Sequence, residues 1–182
     1  GQDGAKYKSF ETKEEATKAF EKGYEHYLKT VSSSKAAAGL APKAPVGKPI
    51  WESLCVDAAC SGNPGDMEYR GVYPPTMQEI FRIGPLKKGT NNIGEFLALV
   101  HGLALLKQKG SSLPIYSDSR NAIGWVKKKK CKTLLERVPE NEPIFDMIER
   151  AEKWLKTNTY TTPILKWETS EWGEIPADFG RK

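Results

Sequence analysis

The stretch from about Ile93 to Lys109 most constrains what this chain can fold into. Phe96-Leu97-Ala98-Leu99-Val100 and the leucines at 103, 105 and 106 make it apolar on nearly all sides, so it reads as a buried helix rather than a surface one. Thr90-Asn91-Asn92 supplies its capping residues. Before it, Trp51–Cys60 is short, apolar and rich in small residues, as a buried strand requires. Ser61-Gly62-Asn63-Pro64-Gly65 forces a turn, and Glu68–Val72 with Gln78–Ile83 read as two further strands of an antiparallel meander. After it come a strand at Ile115–Ser117, a helix at Arg120–Lys129, a helix opened by Pro143 and a strand at Ile164–Trp167. A short terminal helix is expected from Gly173 onward. Strands in series, then strand alternating with helix, predict an α/β fold: a mixed five-stranded sheet, three strands antiparallel and the rest parallel, flanked by helices.

The 182 residues allow one domain with a proper core and a short appendage. Residues 1–29 read as a strand-like stub and a helix, with Thr12 and Glu15 placed as a capping box. Residues 30–49 turn to Ser, Ala, Gly, Pro and Lys, with nothing periodic to bury, and read as a flexible linker. The globular part is 50–182. A formal charge of +5 and a pI near 9.0 favour an anionic partner. Three cysteines without C-x-x-C spacing point to neither a disulfide framework nor a zinc site. Two histidines, His26 and His101, nearly exclude Ser/His/Asp catalysis and His-rich metal sites. No membrane segment is expected, and a cytoplasmic monomer is the expectation.

Four acids stand where an acid is costly. Asp57 interrupts Leu54-Cys55-Val56-Asp57-Ala58-Ala59, and Glu95 precedes the apolar run of the buried helix. Asp118 follows Pro114-Ile115-Tyr116-Ser117, and Asp178 sits among Ile175, Ala177 and Phe179. Each has an ordinary explanation: a strand-end aspartate meeting water, an acid complementing a helix dipole, an N-cap, a frayed terminus. Yet strand ends and helix starts place all four on one edge of an α/β sheet, where sites form. Oxygen ligands without histidine or thiolate select a hard divalent cation, Mg²⁺ or Mn²⁺. Two such ions about 4 Å apart suit phosphodiester hydrolysis.

The segments Val56-Asp57-Ala58-Ala59-Cys60-Ser61-Gly62-Asn63-Pro64-Gly65, Gly89-Thr90-Asn91-Asn92-Ile93-Gly94-Glu95-Phe96 and Ile115-Tyr116-Ser117-Asp118-Ser119 resemble ribonuclease H type 1 in order and spacing. So do Leu165-Lys166-Trp167-Glu168-Thr169 and Trp172-Gly173-Glu174-Ile175-Pro176-Ala177-Asp178-Phe179-Gly180. The resemblance is to the short bacterial branch typified by Bacillus enzymes, which also lacks a histidine loop between Thr169 and Glu174. It implies a ribonuclease H-like fold and an endoribonuclease that hydrolyses the RNA strand of RNA/DNA hybrids with two Mg²⁺ ions, leaving 5′-phosphate and 3′-hydroxyl ends. Mn²⁺ would substitute. Asp57 would bridge both ions, Asp118 and Asp178 would complete their shells, Glu95 would also contact the RNA 2′-hydroxyl, and Glu174 would assist metal exchange and product release.

The same resemblance lays Cys60, Gly62, Asn63, Asn91 and Asn92 along the minor groove of the hybrid. It gives Thr90, Asn92 and Thr133 to a DNA phosphate pocket, and puts Arg120, Lys166 and Thr169 near the backbone. Arg120 and Leu134 depart from relatives that carry Gln and a hydroxyl there. Lys127–Lys130 beside Trp125 reads equally as electrostatic steering, with salt-dependent binding, or as a solvated helix face. Tyr7, Lys8 and Phe10 resemble the second half of a small viroplasmin-like hybrid-binding domain, implying a truncated remnant over 1–29. Two other functions compete: a DNA-directed nuclease of the same superfamily, and a hybrid-binding module without catalysis.

Overall fold

The computed structural model describes residues 47–180. The expected amino-terminal remnant, and the linker up to residue 46, lie outside the described residues. Five strands form one sheet: β1 (Leu54–Cys60), β2 (Gly65–Tyr73), β3 (Gln78–Gly89), β4 (Ile115–Ser117) and β5 (Ile164–Lys166). Their spatial order is β3-β2-β1-β4-β5, with β1/β2 and β2/β3 antiparallel and β1/β4 and β4/β5 parallel. This is the mixed sheet read from the sequence. Helices α1 (Asn91–Gln108), α2 (Arg120–Lys128), α3 (Glu142–Thr157) and the single turn α4 (Thr169–Trp172), with a 3-10 turn at Pro139–Asn141, complete the described elements.

Alternation along β1 separates two cores. Leu54, Val56 and Ala58 face α1 and join Phe96, Leu99, Leu103, Ile144 and Leu155 in the main core. Cys55 points the other way, into a smaller cluster with Val72, Tyr116, Trp167, Ile175 and Ala177. Helix α1 packs against β1, β2 and β4 on one side and against α2 and α3 on the other, which is why it needs no polar stripe. Burying each of its large side chains contributes about 1.5–3 kcal/mol. Thr90 caps it, its hydroxyl accepting from Ile93 N at 3.3 Å. Close approach to the sheet requires glycine at two positions: a Cβ on Gly94 would meet Ala58 Cβ at 2.7 Å, and one on Gly102 would meet Ile115 Cδ1 at 2.5 Å.

Two expectations need correction. Strand β3 does not end at Ile83 but runs on to Gly89, because register shifts opposite β2 absorb Gly84-Pro85 without ending the pairing. Gly84 sits at φ +113° against Met67 O and Glu68 Cβ, so a strand-breaking residue here is the bulge itself. The terminal helix precedes Gly173 rather than following it. Gly173, at φ +77°, stops α4, and the chain from Ile175 to Phe179 is extended and turned so that Ile175 and Ala177 reach the smaller core. No helix among the described residues is long and apolar enough to cross a membrane.

Candidate active site

The parallel register of β1 and β4 builds the site. Leu54 pairs with Ile115 and Cys55 with Tyr116, so two steps further along Asp57 comes level with Asp118. Glu95, one turn into α1, enters from the helix side, and its Oε1 accepts from Ala58 N at 3.3 Å. One carboxylate oxygen from each of Asp57, Glu95 and Asp118 lies within 4.8 Å of the others. Asp57 is 5% exposed, so it is not a strand-end acid meeting water, and Glu95, 2% exposed, is buried beside it. The N-cap of α2 is Ser119, accepting from Ala122 N at 3.1 Å, and Asp118 is therefore not held in place by capping.

Asp178 lines the same cleft, of about 760 Å³, together with Asp57, Glu95, Asp118, Asn91, Ser119 and Phe179. It stands outside the 4.8 Å grouping, although its charge acts on Asp57. Its segment is not frayed: Asp178 N donates to Ile175 O at 2.9 Å, and its Oδ2 accepts from Gly180 N at 3.0 Å. Glu174 is exposed and lies outside the cleft lining.

Burial raises the Asp57 carboxyl to about 6, with the negative charges of Asp118 and Asp178 adding to the rise and a hydrogen bond shared with Glu95 opposing it. Burial also holds Glu95 well above the ordinary carboxylate range, reinforced by Asp57 and Asp118. The charges that raise both groups are those of neighbouring acids. Buried carboxylates crowded together in this way are the arrangement that a divalent cation relieves. The donor set is all oxygen, which fits Mg²⁺ or Mn²⁺ and not zinc.

A second groove, of about 800 Å³, adjoins the cleft and shares Cys60 and Asn91 with it. Gly62, Asn63, Thr90, Asn92, Trp125, Thr133, Leu134 and Leu135 also line it. Seven residues assigned by resemblance to nucleic acid, Cys60, Gly62, Asn63, Thr90, Asn91, Asn92 and Thr133, thus converge on one surface. Arg120, Lys166 and Thr169 do not line it; Arg120 is exposed, and Lys166 Nζ donates to Trp167 O.

Three positioning side chains escaped the sequence reading. Buried Ser117 accepts from Ser119 N at 3.1 Å, with its hydroxyl 3.5 Å from Glu95 Oε2. Asn141, 1% exposed, donates to Lys88 O and Glu136 O and accepts from Val138 N, fixing the loop that carries Thr133–Leu135 to the end of β3. Glu152 holds the start of that loop by accepting from Cys131 N at 3.1 Å. Asn141 stands beside Pro139 and Pro143 and reads as turn chemistry, while the main signal for Glu152 is an acid inside the apolar stripe of α3.

A mixed α/β sheet whose strand ends gather buried carboxylates beside a polar groove defines the class of protein. The model of the RNase H family matches residues 52–166, and the chain belongs to that family. Curated relatives include the ribonuclease H of Rickettsia bellii, 31% identical over 137 residues and covering 69% of this chain and 83% of that protein. The ribonuclease H of Rhodopirellula baltica is 41% identical over 75 residues, and the match spans less than half of that relative (46%) and 40% of this chain. Among solved structures, RNase H1 of Halobacterium salinarum aligns with 19% identity and a TM-score of 0.40 over 65% of this chain and 86% of that one. LC11-RNase H1 in complex with an RNA/DNA hybrid aligns with 18% identity and a TM-score of 0.39, over 65% and 86%.

Proposed function

We propose that this chain is an endoribonuclease of the type 1 branch that hydrolyses the RNA strand of RNA/DNA hybrids, leaving 5′-phosphate and 3′-hydroxyl ends. The convergence of Asp57, Glu95 and Asp118 within 4.8 Å carries the reading. Family membership and relatives named ribonuclease H, one of them ribonuclease HI of Rickettsia prowazekii, support it. Asp57, Glu95, Asp118 and Asp178 would hold two Mg²⁺ ions, for which Mn²⁺ would substitute. When bound, these ions supply Lewis-acid activation of water and stabilisation of the leaving oxygen.

The chain's own residues set the rest. The cleft admits a phosphodiester to the carboxylates, and the adjoining groove offers amides and hydroxyls to the minor groove of a hybrid. There a 2′-hydroxyl, both donor and acceptor, distinguishes RNA from DNA. Glu95, which lines the cleft with Asp57 and Asn91, would contact that hydroxyl. The groove's amides and hydroxyls suit a partner that is read by shape, while Lys132 in its lining and the net charge of +5 attract its backbone. A cytoplasmic setting is part of the proposal.

Incubating a labelled hybrid beside matched duplex DNA with Mg²⁺ tests it. The hybrid's RNA strand should be cut and the duplex left intact. Asp118→Asn should abolish cleavage while leaving hybrid binding nearly unchanged. Cleavage of the duplex would instead identify a DNA-directed nuclease, and binding without cleavage at any Mg²⁺ or Mn²⁺ concentration a silent module.

A further inference from the structure

The antiparallel registers place Asp57 opposite Arg70, and Arg70 opposite Arg82, so one row across β1, β2 and β3 reads acid, arginine, arginine. An arginine directly across from Asp57 on the same face would be expected to neutralise it. Arg70 instead turns its donors to the carboxy-terminal segment. Its Nε donates to Ala177 O at 2.8 Å, and its Nη2 donates to Asp178 O. Its guanidinium carbon lies 4.8 Å from the centre of the Phe179 ring, and that of Arg82 lies 5.3 Å from the same ring. Two like charges side by side on adjacent strands repel unless compensated. Glu79 approaches both, at 3.7 and 3.8 Å, and buried Glu68 pairs with Arg82 at 3.1 Å. The acids thus fix the guanidiniums without covering the faces that meet Phe179.

We propose that Arg70, backed by Arg82, is a positioning residue that docks the carboxy-terminal segment through the Ala177 and Asp178 carbonyls and the Phe179 ring, and so holds the Asp178 carboxylate at the mouth of the acidic cleft. This extends the divalent-cation reading of that cleft and rests on it. The three contacts bracket Asp178 on both sides, from residue 177 to residue 179. Asp178 is the cleft acid farthest from a regular element, since Asp57 stands within β1, Glu95 within α1 and Asp118 directly after β4, whereas α4 ends at Trp172. A carboxylate on an irregular segment needs an external anchor, and the fork of a guanidinium can engage two carbonyls while its face meets a ring.

Arg70→Gln, Arg70→Lys and Phe179→Leu, made in the full chain, test the proposal. Two readouts apply without substrate: Mn²⁺ binding by titration calorimetry, and amide hydrogen exchange over residues 175–180. Arg70→Gln should weaken Mn²⁺ binding by about tenfold, the order expected from losing hydrogen bonds made by a charged group. It should speed exchange over 175–180 while β1 and α1 keep wild-type rates. Arg70→Lys should recover part of the affinity, because an ammonium reaches one carbonyl but lacks the fork. Phe179→Leu should give the same pattern more weakly, and it carries the test if Arg70→Gln fails to fold. Wild-type Mn²⁺ affinity and wild-type exchange in both Arg70→Gln and Phe179→Leu would overturn the proposal. If the unaltered chain binds no Mn²⁺, the cation reading itself falls, and the proposed role of Arg70 in holding Asp178 for the cation falls with it.

Discussion

Glu95 is the residue whose position is hardest to reconcile with stability alone. It is almost completely buried beside Asp57, receives one backbone N–H and lies near one serine hydroxyl, and its neighbours are acids. A group selected for stability would be neutral here. Glu95→Gln keeps the shape and an acceptor for Ala58 N while removing a group whose ionisation is costly beside Asp57 and Asp118. In EDTA at pH 7.5 this variant should melt several degrees above wild type, and the stabilisation that Mn²⁺ gives wild type should largely vanish. A melting temperature below wild type in EDTA would mean that the carboxylate is a structural asset and would count against the site. In the sequence, Glu95 was ambiguous because an acid in the first turns of a helix usually complements the dipole. Only its burial against Asp57 decides between the readings.

At the scale of elements, the approach of α1 to the sheet sets the site's dimensions. Glu95 reaches Ala58 N because Gly94 lets the helix touch Ala58 and Met67. Gly94→Ala should gain about 1 kcal/mol of helix propensity yet lose about 1–3 kcal/mol through overpacking against Ala58 Cβ. The net expectation is a lower urea midpoint, together with weaker Mn²⁺ binding as the helix is pushed outward. An unchanged or higher midpoint would show that the sheet yields. The elements themselves were largely legible, because period and capping are local properties: α1, α2, α3, β1, β4 and β5 fall within a few residues of their expected bounds. The length of β3 and the position of α4 were not. Gly84-Pro85 and Gly173 are breakers by propensity, and whether a breaker makes a bulge, starts a helix or stops one depends on the partner strand and on the buried Ile175 and Ala177.

For the whole molecule, the coupled acids make stability depend on pH with a sign opposite to that of a paired carboxylate. Asp57 rises from 3.8 to about 6, and Glu95 is also raised, so the folded chain binds more protons than the unfolded chain between about pH 4 and 6. Stability contributed by the protonated acids is therefore present at low pH and falls as pH rises through that window. For Asp57 alone the difference is on the order of 3 kcal/mol. Urea midpoints in EDTA at pH 4.5 and 7.5 should show wild type losing more stability than Asp57→Asn over that interval, and Mn²⁺ at pH 7.5 should restore the loss. An equal change in the two proteins would contradict it. The sequence by itself determined the order of strands and helices, the buried character of α1 and the identity of the four acids, because apolar period, turn residues and charge in apolar context are written residue by residue. Tertiary structure alone decided that Asp57 and Asp118 stand level across β1 and β4, that Ser119 rather than Asp118 caps α2, and that Arg70, paired opposite Asp57, donates to the Asp178 segment. Those outcomes depend on register and on competition for hydrogen bonds between residues far apart in the chain, and no local pattern encodes either.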